Sequence, residues 1–336
     1  MSFIKGRFRK WIQTLKEGRS KILKREFSRG IIISSFVFLA VATTPVLGSI
    51  GLIFIPLPVL YYYSKLGRTQ GLVVFVVSLL VLTISYQFWN LEVSLPFFFL
   101  LGSLGLILSE ILRKSCSIEK TVLYSTIALS TLCFALLIYY NVKTGKTPWG
   151  LIEFYISESI RENIRLYSQL DISSEQINLI KENANQIIAV IISLFPALVL
   201  ISTSFIVWLN ILAGKLIFQK VGMWYPDFGD LAYWKAPDWM IWFVIISGGL
   251  LLISVGMIKI VALNLLIIFL FIYMFQGLAI ISFFFKKKNV PGFLRIICYF
   301  LIFGQQFLLL LVVGLGLFDI WFNFRKLDKK MKCHTA

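Results

Sequence analysis

Histidine is almost missing from this chain: the 336 residues hold one, His334, in the C-terminal tail. That scarcity closes most routes to acid–base catalysis and to zinc chemistry. Cysteine is nearly as thin. Cys116, Cys133, Cys298 and Cys333 are scattered, with no Cys-x-x-Cys and no pairing pattern, so neither a disulfide framework nor a metal site is expected. No catalytic residue and no cofactor follows from such an inventory, and a non-enzymatic role is expected. Acidic residues are also few, 16 against 33 Lys and Arg, which leaves a formal charge of +17. A surplus of that size raises nucleic acid as a partner, but its distribution speaks against one. Residues 1–29 carry ten Lys or Arg against Glu17 and Glu26, and most of the others flank apolar runs. That placement is what positive-inside topology and anionic lipid headgroups require.

What is present in quantity is apolar: 58% of the residues are hydrophobic, 15% are charged, and the mean hydropathy is +0.85. A soluble chain of this length has no interior large enough for that much apolar surface. Several runs reach the ~20 residues that a helix needs to cross ~30 Å of hydrocarbon. The expected fold is all-α, a polytopic membrane bundle of 8–9 transmembrane helices. The expected location is a cell membrane, crossed several times, with the N-terminus cytoplasmic. About thirty mostly polar residues precede the first apolar run, so no cleavable signal is expected.

Five regions follow: a basic N-terminal segment (1–29), a six-helix core (30–213) with an outer amphipathic insert (141–185), C-terminal membrane helices (214–320) and a basic tail (321–336). In the first, Ile4, Phe8, Trp11 and Leu15 have helical spacing between basic residues. That describes either an amphipathic helix on the cytoplasmic leaflet or a solvated tail that fixes orientation. The run from Gly30 to Tyr63 is roughly 50 Å long as a helix at ~1.5 Å per residue, too long for one crossing. Pro45 disfavours helical geometry at Thr44, and Gly48, Ser49 and Gly51 supply turn chemistry. Two crossings are therefore expected, 30–44 and about 48–64, joined by a tight outer loop, with Pro56 and Pro58 kinking the second. Carbonyls freed by a kink need partners from neighbouring helices. Further spans are expected at 70–88, 94–112, 120–140, 186–213, 239–257, 261–285 and 293–317. With nine crossings the last basic residues, Arg325, Lys326, Lys329, Lys330 and Lys332, fall outside. Eight crossings, with one C-terminal segment that does not cross fully, keep them in.

Within the insert, Ile156, Ile160, Ile164 and Tyr167 form an amphipathic stripe, and Ser173 with Gln176 has capping-box spacing. Two motif-like strings carry no chemistry. Thr144-Gly-Lys-Thr147 has Tyr140 where a phosphate loop needs its first glycine. Asp227-Phe-Gly229 has no glycine-rich or catalytic loop to work with. Polar residues inside spans matter more, since each needs a partner where there is no water. Ser193, Pro196, Thr203, Asn210 and Gly214 share a stripe of the sixth span, Gln276 lies in the eighth, and Gln305 and Gln306 in the middle of the ninth. These serve either helix–helix hydrogen bonding or a solute path.

At the outer ends of the first five spans Thr43, Thr44, Gln87, Trp89, Asn90, Glu92, Tyr140 and Asn141 reach a common level. Aromatic walls with a few polar groups suit a small-molecule site, and ordinary interface residues look the same. The basic start, TTPVLGSIGLIFIPLPVLYYYSKLGRTQG, KAPDWMIW, NLLIIFLFIYMFQGLAII and the ending GLGLFDIWFNFRKL together resemble the YybS-like family of bacterial multi-pass membrane proteins, over roughly residues 26–327. By architecture the first six spans also look like the substrate-binding S components of energy-coupling-factor transporters. That likeness implies a coupling subunit docking on small residues near the inner end of the first helix, here Gly30 and Ser34. The leading expectation is a membrane protein that binds a small solute as a transporter or transport component. The rival is a non-catalytic scaffold acting through its basic cytoplasmic face.

Overall fold

A computed structural model describes residues 2–89, 94–145, 147–168, 182–253 and 256–326. Among these residues the elements are helices: α1 (Ser2–Thr43), α2 (Pro45–Leu52), α3 (Pro56–Leu66), α4 (Arg68–Trp89), α5 (Leu95–Leu112), α6 (Ile118–Thr144), α7 (Pro148–Tyr167), α8 (Ala184–Val221), a 3-10 turn (Leu231–Tyr233), α9 (Met240–Ile253), α10 (Met257–Lys287), α11 (Gly292–Gly304) and α12 (Gln306–Phe322). Six stretches are long and apolar enough to cross a membrane: Leu23–Thr43, Arg68–Phe88, Leu95–Leu112, Ile118–Thr144, Ala184–Val221 and Met257–Lys287. Shorter apolar stretches, Ile50–Leu66 and Met240–Ile253, stand at the expected second and seventh spans. The protein is an all-α polytopic membrane bundle.

Four details differ from the reading of the sequence. The basic segment and the first span are one 42-residue helix, so the boundary at residues 29 and 30 is a change of composition and not of backbone. The side chains of Ile4, Phe8, Trp11 and Leu15 lie outside the described ones, as do residues Ser173 and Gln176. The loop expected after α1 is a single residue. Thr44 alone is extended (φ −106°, ψ 110°), as the residue before a proline tends to be, and Pro45 opens α2. Gly48 and Gly51 serve close packing of α2 on Val41 of α1 in place of a turn. Pro56 and Pro58 do not kink a continuous helix; they sit in the first turn of α3, where a missing N–H costs nothing. The expected ninth span bends by 103° at Gln305, between α11 and α12. Thirteen residues of α11 reach only about 20 Å, short of a full crossing alone.

The chain divides into two compact units, Met1–Tyr139 with Ser202–Asp227, and Tyr140–Ile201 with Phe228–Ala336. In the first unit α3 is the hub. Successive residues on a helix point about 100° apart, and Tyr61, Tyr62 and Tyr63 meet three different neighbours. Tyr61 packs edge-on against Phe218 of α8 at 5.9 Å. Tyr62 lies on Gly30 of α1, where a Cβ would stand 2.9 Å from its ring. Tyr63 lies under Gly71 of α4. Gly105 of α5 meets the Pro56 carbonyl, and Gly214 of α8 meets Leu60. With no hydrophobic drive between helices in lipid, such close backbone approach supplies the packing energy. Phe38, Ile55, Val59, Phe75, Leu82, Phe98 and Leu101 fill the adjoining core.

In the second unit α10 packs antiparallel on α12. Gly277 lies on the Val312 carbonyl and Gly316 on the Tyr273 carbonyl, so neither position has room for a side chain. Met274, Leu278, Ile302 and Val312 fill one side of this pair, and Ala236, Ile241 and Tyr273 the other.

Candidate functional site

At three places a side-chain amide from a neighbouring helix bonds to backbone that its own segment leaves without a partner. In the first unit the turn between α2 and α3 leaves the Ile53 carbonyl, which accepts from Asn210 Nδ2 of α8 at 2.8 Å. In the second unit Pro196 disturbs α8, and Asn264 of α10 spans the adjacent rung. Its Oδ1 accepts from the Ala197 N–H at 2.9 Å and its Nδ2 donates to the Ser193 carbonyl at 2.7 Å. Gln276 Oε1 accepts from the Ala236 N–H at 3.1 Å. Each amide replaces water that the bilayer does not offer. Asn210 and Gln276, singled out by sequence, are thus engaged in interhelical bonding. Asn264 was missed, although an Asn inside an apolar run carries the same signal.

Gln276 belongs to a larger cluster. Its Nε2 donates to Asp319 Oδ2 at 3.2 Å. Asp319, in the last turn of α12, also accepts from the Phe324 N–H and from Arg325 NH2 at 2.8 Å. Asn323, in left-handed geometry (φ 40°, ψ 57°), turns the chain so that Arg325 comes back to the carboxylate. Arg325 NH1 donates to the carbonyls of Ala232 and Trp234. The side chains of Arg325 and Asp319 are 0% and 2% exposed. A carboxylate at a helix C-terminus is disfavoured by the helix dipole, and the guanidinium offsets that. Three of the sequence blocks that carry the YybS-like resemblance meet here. A lone charged residue in a 17-residue helix was the available signal.

The first unit holds an exposed counterpart at one end. Arg68, at the start of α4, grips Glu110 of α5 with both forks, Nε to Oε1 at 2.9 Å and NH2 to Oε2 at 2.7 Å. Tyr63 donates to the same carboxylate at 2.8 Å, and Arg113 reaches it at 3.3 Å. Lys65 pairs with Glu26 of α1, which also takes Arg29. Two carboxylates thus hold four cations, and Arg68 remains 71% exposed at its side chain. Lys114 and Lys120, the next basic residues along the chain after Arg113, are exposed. In the segment after α8, Tyr225 donates to the Ile211 carbonyl at 2.7 Å, and burial pushes its phenol far above the ordinary range. Between α1 and α4 runs a shallow groove lined by Leu23, Lys24, Phe27, Thr69, Gln70 and Val73.

The residues expected to form a solute site are distributed as follows. The Thr43 hydroxyl donates to the Leu39 and Ala40 carbonyls of its own helix, and that of Thr44, just past its end, to Ala40. Gln87 is exposed on α4. Asn90, Glu92 and the side chain of Trp89 lie outside the described residues. Tyr140 and Asn141 belong to the second unit. Of the expected docking pair, Gly30 is covered by Tyr62 of the chain's own α3 and Ser34 is fully buried. The stripe on the sixth span also separates: Ser193 and Pro196 lie in the second unit, Thr203, Asn210 and Gly214 in the first.

Helices of this length and composition, cross-linked by amides at their breaks, define a polytopic membrane protein of the α-helical class. Within that class the family described as "Predicted membrane protein (DUF2232)" matches residues 32–320, and the chain belongs to it, in keeping with the YybS-like resemblance. No curated protein and no solved structure matches the chain.

Proposed function

We propose that this protein is a non-catalytic membrane scaffold that recruits acidic partner proteins to the basic end of its first unit, on the cytoplasmic side. The observation that carries the reading is the Glu26–Lys65 and Arg68–Glu110 network. It fixes four cations in place with two carboxylates and leaves the remaining positive charge facing outward. A pre-ordered cationic surface loses little side-chain entropy on binding, and its charge steers acidic partners toward it. The amides inside the bundle support the same reading, because Asn210, Asn264 and Gln276 are engaged in holding helices together.

The competing reading is a small-solute transport component with the S-component layout, in a bacterial cytoplasmic membrane. It rests on Thr43, Thr44, Gln87, Trp89, Asn90, Glu92, Tyr140 and Asn141, with Gly30 and Ser34 for a coupling subunit. Both threonine hydroxyls are engaged by backbone carbonyls of α1, which favours the scaffold. Co-purification in mild detergent at low salt separates the two. The scaffold reading expects partners that are retained by wild type and lost from Lys114→Glu/Lys120→Glu, with the bundle equally stable in both. Recovery of an ATPase-linked coupling complex that is indifferent to those charges, with a solute-dependent thermal shift abolished by Glu92→Gln, overturns it.

A further inference from the structure

The chain leading into α9 runs down the side of α10, and its contacts mark its depth. Asp230 pairs with Lys286 at 2.6 Å, and Tyr233 meets Phe283 edge-on at 5.5 Å. Further down, the Ala236 N–H donates to Gln276 at 3.1 Å, and Ala236 and Ile241 pack on Tyr273. From Lys286 to Tyr273 is about 20 Å along a helix at ~1.5 Å per residue, out of the ~30 Å that the hydrocarbon measures. Lys286, Lys287 and Lys288 mark the headgroup end. What surrounds the lower part is shown by α12, whose Gly316 lies on the Tyr273 carbonyl. To either side of that contact Phe307, Leu310, Phe318 and Phe322 are exposed, a surface made for lipid. Below it α9 carries on, with Phe243 stacked on Phe269 at 5.0 Å. The 14 residues of α9 cover only about 20 Å. This crossing is therefore part extended chain and part helix.

Non-helical backbone at such depth must be buried in protein or face water. One edge of the segment is buried: Arg325 donates to the Ala232 and Trp234 carbonyls, and Gln276 takes the Ala236 N–H. The other edge is charged and open. Lys235 pairs with Asp238 at 2.8 Å, with side chains 30% and 67% exposed, and Pro237 between them is exposed too. A carboxylate facing lipid at this level costs about 2.5–3.5 kcal/mol, and a pair this open recovers little of that. In water it costs nothing.

We infer that Lys235, Pro237 and Asp238 line a water-filled vestibule that opens on the Lys286 side of the membrane and ends where Ile241 packs on Tyr273. Small polar solutes and ions reach the Lys235–Asp238 pair through it, and acyl chains do not. The vestibule belongs to the second unit alone and is independent of what the first unit recruits.

The test is thiol accessibility in the full-length chain with its four native cysteines replaced by serine. A charged, membrane-impermeant methanethiosulfonate is added to intact cells and, separately, to inside-out vesicles. Asp238→Cys and Pro237→Cys are expected to react in the same preparation as Lys287→Cys. Each should react at least about tenfold faster than Phe318→Cys on the lipid face, because a thiol in apolar surroundings resists ionisation. Phe318→Cys and Phe243→Cys should take only a lipid-soluble maleimide. Pro237→Cys leaves the ion pair intact, so the test does not depend on how well Asp238→Cys folds. Unreactive thiols at both 237 and 238 in folded protein, reaction from the side opposite Lys287→Cys, or Phe318→Cys reacting as fast as the other two would each overturn the assignment.

Discussion

Arg325 and Asp319 are the two side chains with most at stake. Removing one partner of a buried pair strands the other charge, typically at about 3–5 kcal/mol, while replacing both by apolar groups of similar size is far less costly. Arg325→Met should therefore lower the thermal unfolding midpoint in detergent strongly. Arg325→Met/Asp319→Leu should recover much of that loss, the remainder reflecting the Ala232 and Trp234 carbonyls left without donors. A double variant as unstable as the sum of the singles would show that the pair contributes little as a pair. Neither residue stood out in the sequence. Asp319 lies inside a block read for its family likeness, and Arg325 was read as part of a tail whose charge fixes topology. A basic residue six positions after an acid gives no hint of pairing until a left-handed Asn323 folds the chain back.

At the scale of elements, the sequence was most legible where proline acts. That Thr44 cannot be helical before Pro45, and that breaks near Pro56 need foreign partners, both follow from the ring and the missing N–H. The donor for Ile53, Asn210, could not be paired with it from sequence, because 157 residues separate them. Asn264 and Pro196 pose the same problem on α10 and α8. Asn264→Leu should destabilise by about 1–3 kcal/mol, since the Ala197 N–H and Ser193 carbonyl lose a partner in a dry environment. In a Pro196→Ala background the helix can close its own ladder, and the cost of Asn264→Leu should shrink. The coupling energy of that double-mutant cycle, read by reversible unfolding, checks it. An equal cost in both backgrounds would detach Asn264 from the proline. The hub role of α3 was illegible for a different reason. Three consecutive tyrosines look redundant in one dimension and reach three neighbours only because a helix turns 100° per residue.

For the whole molecule, hydropathy and charge indicated a polytopic bundle, and family membership agrees. Sidedness is a matter for labelling. With the N-terminus cytoplasmic, single cysteines at 66, 116 and 287 should resist a membrane-impermeant thiol reagent in intact cells, and one at 145 should react. Labelling at 116 without labelling at 145 would reverse the orientation, and a cysteine at 330 reports the side of the tail beyond the bend at Gln305. The latch at Arg325 also carries a consequence in time. Gln276 is made well before Asp319 and Arg325, so α10 enters the bilayer ahead of the pair that completes its cluster. Until Arg325 folds back around Asn323, the second unit holds an uncompensated acid. A chain released early, at residue 320 for instance, keeps that defect permanently. It keeps every helix nearly whole and still differs from the longer chain by one buried charge without its partner.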